Sequence, residues 1–190
     1  MVTHVPAEAH GDERGALLGF VEAQRGALRR SVIGLSEEQA ASRPSASELS
    51  LSGLVKHAAG AEVGWLRLAQ QRGDEHRPTE DTWRDSFRLV GDETVSGVLA
   101  FWDGVAAETA EFIASVPSLD DTFPLPDEPW FPKEGRVSMR WFLLHLIEEL
   151  GRHAGHADVI RETLDGKVAF DLVALEHEEG AGRAEGSAAA

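Results

Sequence analysis

The sequence predicts an all-α protein, a four-helix bundle with long crossover connections. Three observations carry that prediction. Four long segments repeat apolar residues at helical spacing. Glycine or proline stands at the end of several of them, where a helix stops. Two long polar or proline-rich stretches separate them, so not every connection is a tight hairpin.

The first helix is expected from about Asp12 to Val32, with Leu17, Leu18, Val21, Leu28 and Val32 on its apolar side and Gly34 as its stop. Ser36-Glu37-Glu38-Gln39 has the form of a capping box and should open a short helical turn that Pro44 ends. A second long helix starts in the serine-rich run Ser47 to Ser52 and continues through Leu54, Val55, Ala58, Ala61, Trp65, Leu66 and Leu68 to about Arg72. From Gly73 to about Asp85, with His76 and Pro78, the chain reads as a polar connection crossing one end of the molecule. The third helix covers Val95 to Val116 and is closed by Pro117. Ser118 to Val137 carries Pro124, Pro126, Pro129 and Pro132 and is expected to be a fixed loop on the surface or over a cleft. Ser138 caps the fourth helix, which ends near Leu164-Asp165-Gly166. Val168 to Leu172 is read as a short strand or docked extension, and the Glu-, Gly- and Ala-rich sequence beyond it as disorder. The expected organisation is a flexible 1–11, one domain over 12–174 and a disordered tail over 175–190.

With 190 residues the chain can bury one well-packed core. It has no cysteine, which excludes disulfides, thiolate metal sites and a cysteine nucleophile, and leaves histidine and carboxylate as metal ligands. A formal charge of −15 argues against nucleic acid as a partner, since phosphate is bound through clustered Lys and Arg. No apolar run is long enough to span a bilayer, and Met1 to Arg14 carries His, Glu and Asp where a signal peptide needs an apolar centre. A cytoplasmic protein is expected. The absence of tyrosine and asparagine excludes a tyrosine general acid and N-glycosylation.

The most informative segment is Trp141 to Asp158, WFLLHLIEELGRHAGHAD, which sets His145, Glu149, His153 and His156 three or four residues apart on one helix. Imidazole and carboxylate are ligands for divalent transition metals, and an i, i+4 pair presents two of them to one ion. A bundle site needs a further ligand from a facing helix. His57, among Leu54, Val55, Ala58, Gly60 and Ala61, is the candidate on the second helix. Either Glu149 with His153 or His153 with His156 can complete the set. Glu149 and His156 lie about 10 Å apart along the axis, too far to share one ion with His153. Glu62 and Arg152 are read as a bridge between helices, and Trp65, Trp102, Trp130 and Trp141 as core and loop anchors. Trp130-Phe131 is a candidate lid near the metal.

The segments GLSEEQ (34–39), GLVKHAAG (53–60), RWFLLHLIEE (140–149) and RHAGHAD (152–158) resemble the DinB superfamily, and within it a branch of uncharacterised bacterial proteins named after a mini-circle protein. The resemblance implies a DinB-type four-helix bundle that binds a divalent metal through one His on the second helix and a pair four apart on the fourth. Carried onto this chain, the ligands are His57, Glu149 and His153. Glu149 stands where the commoner pattern has a histidine, which is similar to the thiol-dependent maleylpyruvate isomerase branch. His145, His156 and Asp158 then become groups that orient a ligand or face the substrate.

The ligand set accommodates zinc, nickel, iron or manganese, with zinc or nickel favoured. Three protein ligands leave open positions, as catalytic sites do. The resemblance implies a transferase or isomerase that uses a low-molecular-weight thiol such as mycothiol or bacillithiol with an electrophilic second substrate. Two other readings stay open: a non-catalytic metal-binding or dimeric binding module, and metal-assisted hydrolysis with Glu149 as base.

Overall fold

In the computed structural model, residues 12–73, 79 and 82–188 are described, with side chains for all of these except 179 and 182–188. Each of the four bundle helices starts at a short polar side chain that accepts a hydrogen bond from an otherwise orphaned backbone N–H. Asp12 does so for α1 (Glu13–Arg30), Ser50 for α3 (Leu51–Ala69), Thr94 for α4 (Val95–Ser115) and Ser138 for α5 (Met139–Asp165). Between the first two lies the five-residue α2 (Glu37–Ala41), whose capping box of Ser36 and Gln39 is complete. Gly34 and Gly166, at φ of 71° and 78°, take the left-handed conformation that stops a helix at low steric cost.

The four helices of the bundle are α1, α3, α4 and α5. α1 packs on α5, and α3 packs on both α4 and α5. Their shared face buries Val21, Leu28, Leu54, Leu66, Trp102, Ile113, Phe142 and Leu146 without exposure. This is the bundle that the 3.6-residue periodicity predicts.

Two connections differ from expectation. The proline-rich stretch is not loop throughout: β1 (Thr122–Pro124) pairs antiparallel with β2 (Arg136–Ser138), Phe123 opposite Val137. Phe123 is fully buried and meets Phe142 edge-on, ring centroids 6.4 Å apart, which ties this crossing to α5. Strands of three residues with a proline at one end carry too little alternation to be read from sequence. In the second connection, a 3₁₀ turn over Trp83–Phe87 packs against α3. His76 and Pro78 of that connection lie outside the described residues.

After Gly166 the chain does not form a strand. It continues as α6 (Ala169–Ala188) through the segment expected to be disordered. Leu172 is buried, and Glu176 pairs with Arg30 of α1 at 3.0 Å. The Ala and Glu that make the segment poor in large apolar residues are also strong helix formers. Residues 1–11 lie outside the described part.

Candidate metal centre

α3 and α5 face each other across the bundle, and their contact brings His57 against Glu149 and His153. Nε2 of His57 and Nε2 of His153 each donate to Oε1 of Glu149 at 3.2 Å. The two rings meet edge-on with centroids 4.9 Å apart. One ligand atom from each of the three residues lies within 4.8 Å of the other two, and among the described residues this is the one group of three or more His, Asp or Glu with that spacing. The imidazoles of His153 and His57, donating to the carboxylate, hold the Glu149 carboxyl well below the usual carboxylate range against the opposing effect of burial.

The residues fit a divalent cation. Two imidazoles and one carboxylate form a nitrogen and oxygen donor set for a borderline metal. Both histidines are buried, and Nδ1 of His153 has no hydrogen-bond partner, although folded proteins satisfy nearly all buried polar atoms.

His57 is held from the side opposite Glu149. Phe87 stacks on its ring at 3.9 Å between centroids, Trp83 meets it edge-on at 5.7 Å, and Ser86 Oγ lies 3.4 Å from its Nδ1. This cradle is the 3₁₀ turn, and Gly53, one helical turn before His57, admits it. A Cβ at Gly53 would fall 2.0 Å from the Phe87 carbonyl oxygen, so no larger residue fits there without moving backbone. At Gly60, by contrast, a Cβ would touch nothing.

The centre lies beside a cavity of about 1370 Å³ between α3, α4, α5, the 3₁₀ turn and the proline-rich crossing. His57, Glu149 and His145 line it, and so do Trp130 and Phe131. His145 stacks on Trp141 (4.9 Å, 7° between planes) and meets Trp65 edge-on at 4.7 Å. Burial lowers its pKa, with Glu149 and Glu148 opposing, so the ring is held neutral.

Other sequence-predicted residues are placed differently. His156 is exposed, its ring 5.7 Å from that of His153, and neither it nor the half-buried Asp158 lines the cavity. Glu62 and Arg152 do not bridge. Arg152 points outward and pairs with Glu148 at 2.9 Å, one turn back on its own helix. Glu62 is fully buried: Arg25 grips both its oxygens, while Trp102 Nε1 and Thr109 Oγ1 each donate at 2.8 Å. Trp102 is thus the core anchor expected, whereas Trp130 is 70% exposed and meets only the neighbouring Phe131 among the described ring contacts, at 6.2 Å. Sequence reasoning missed Gly53, Ser86 and Phe87 as the support of His57.

Comparison with known proteins agrees with this architecture. The chain superposes on the crystal structure of a conserved protein from Enterococcus faecalis with a TM-score of 0.61, covering 82% of this chain and 99% of that one at 15% identity, a likeness of fold alone. No curated protein matches the chain. The profile of the mycothiol-S-transferases, a DinB/YfiT-like family, matches residues 16–166, a span that runs from within α1 past the end of α5 and includes the three clustered residues. The chain belongs to the mycothiol-S-transferase family.

Proposed function

We propose that this protein is a metal-dependent transferase that joins a low-molecular-weight thiol of the mycothiol type to an electrophile. One observation carries the reading: three converging donor atoms beside a large cavity, in a chain with no cysteine of its own. Family membership supports the choice of thiol. His57, Glu149 and His153 would hold the cation, with zinc or nickel suiting the donor set. A bound cation supplies a Lewis acid that lowers the pKa of an adjacent thiol.

The chain's own groups do the rest. His145, kept neutral by burial and fixed between Trp141 and Trp65, accepts the thiol proton at a ring nitrogen. The thiolate sulfur then bonds to the electrophilic carbon, and the leaving group departs with its electron pair. A cavity of about 1370 Å³ exceeds the usual range for a single small ligand and suits two substrates side by side. The reading implies a cytoplasmic setting, where thiols stay reduced. Glu149 bonded to both imidazoles supports its role as ligand over that of a base in hydrolysis.

Cobalt substitution tests the proposal. Adding mycothiol to the cobalt protein should produce a sulfur-to-cobalt charge-transfer band and a measurable heat. Absence of both, with bacillithiol tried as well, would overturn the transferase reading in favour of a non-catalytic binding module.

A further inference from the structure

The cavity holds more chemistry than a thiol needs. Trp65, Trp83, Phe101, Trp130 and Phe131 all line it, each from a different part of the chain except the adjacent last two. Trp83, Phe101 and Trp130 are 51%, 47% and 70% exposed, an unusual cost for three large rings that converge on one opening. Phe131 meets Trp65 edge-on at 6.2 Å and Trp130 at the same distance, so the rings grade from the helix surface outward.

Among the described lining residues, carboxylates outnumber cations. Lys56 is the one cation among the described lining residues, and it is engaged by Glu93 Oε2 at 2.6 Å and the Arg88 carbonyl at 3.0 Å. Asp85, Asp92 and Glu128 add carboxylates, as does Glu149 at the centre. Of these, Asp85 is compensated by Arg88 and Asp92 is exposed. A cleft lined by one sign of charge concentrates ligands of the opposite sign and repels its own.

We infer that the electrophilic second substrate is a planar aromatic compound, uncharged or cationic, seated on the Phe101 and Trp130 side of the cavity. An aromatic face stacks on such rings and a cation gains further from their π-faces, whereas on this side, away from the His57, Glu149 and His153 centre, a carboxylate meets no cation among the described lining residues except Lys56, which Glu93 already engages. This rests on the transferase reading for the word substrate, whereas the binding surface itself does not depend on the thiol or the metal.

The test uses unreactive probes, so it stands apart from the thiol chemistry. Calorimetry on the full-length protein with 1-naphthylmethanol, 1-naphthylmethylammonium and 1-naphthoate should give at least about tenfold weaker binding for the carboxylate than for the other two. Trp130→Ala and Phe101→Ala, at exposed positions that leave the core intact, should each weaken the alcohol several-fold with unchanged melting temperature. Asp92→Lys should narrow the gap between carboxylate and alcohol. Naphthoate binding as tightly as the alcohol, or no loss in either aromatic variant, would overturn the inference. Thiol binding to the cobalt protein with no affinity for any naphthyl probe would overturn it too and leave the transferase reading standing.

Discussion

Two carboxylates inside this bundle have opposite surroundings. Glu62 on α3 is wholly buried and faces a permanent cation, Arg25, together with the Trp102 and Thr109 donors. Arg25 is the mirror of this: burial opposes its charge, yet the bonds to Glu62 keep its pKa raised. Glu149 on α5 is half-buried beside an open cavity, and both of its imidazole contacts converge on one oxygen. The first group is closed, with charge balanced and both oxygens in use. The second lacks a permanent cation and sits next to a buried ring nitrogen with no partner. A closed polar cluster specifies how helices pack. An open one with metal-binding donors is where chemistry is to be sought.

The sharpest way to break this contrast is to remove each carboxylate in turn. Glu62→Ala leaves Arg25 buried with the exposed Glu22, at 2.9 Å, as its remaining ion-pair partner among the described residues, and should destabilise the fold by about 3–5 kcal/mol. Glu149→Ala removes a carboxylate that faces no permanent cation and takes the acceptor from two imidazole nitrogens, so the metal-free protein should lose about 1–3 kcal/mol, less than Glu62→Ala. Denaturant unfolding with a chelator present compares the two. Equal losses would mean that Glu149 is as structural as Glu62.

A smaller effect is expected at the cradle. Gly53→Ala sets a methyl against the Phe87 carbonyl and should cost about 1–3 kcal/mol through backbone displacement. Because that turn holds His57, metal affinity should fall as well. Loss of stability with unchanged affinity would show that the cradle does not orient the ligand. Trp102→Phe, which takes one donor from Glu62, should cost about 1–2 kcal/mol and leave metal binding untouched.

The smallest effect concerns acid. Burial raises and Arg161 and Lys167 lower the Asp165 carboxyl, for a net fall from the usual 3.8 to about 2. Its folded pKa is depressed, so its contribution to stability is present above the unfolded value. That contribution is lost as pH falls from about 4 toward 2. Asp165→Asn should therefore show a flatter stability profile over that window, measured as melting temperature against pH. A profile parallel to the wild type would remove this pair from the account.

Most of the bundle was legible because helix signals are local. The periodicity of Val21 and Leu28, the caps at Ser50 and Ser138 and the stop at Gly166 each act within a turn or two of sequence. The clustered residues were legible in part for the same reason, Glu149 and His153 being one turn apart. Family resemblance supplied the choice of His57 with Glu149 over His156. What remained hidden depends on contacts distant in sequence. Arg25 and Glu62 are 37 residues apart, and no local pattern announces their pairing. The need for glycine at 53 comes from a carbonyl 34 positions later, and the short hairpin of Phe123 and Val137 closes around a long crossing. In α6 composition misled, since low apolar content and high helix propensity pointed in different directions.

Among the described residues, no helix is long and apolar enough to cross a membrane. The central claim is that His57, Glu149 and His153 together hold one divalent ion. The direct measurement is metal content and competitive metal affinity of untagged protein, for the wild type and for His57→Ala, Glu149→Ala, His153→Ala and His156→Ala. One ion per chain is expected in the wild type and in His156→Ala, with a loss of at least about 100-fold in affinity in each of the other three. Affinity in the wild type should also fall in mild acid, where protons compete for imidazole nitrogen. Full metal occupancy in His57→Ala and His153→Ala, or its loss in His156→Ala alone, would contradict the assignment.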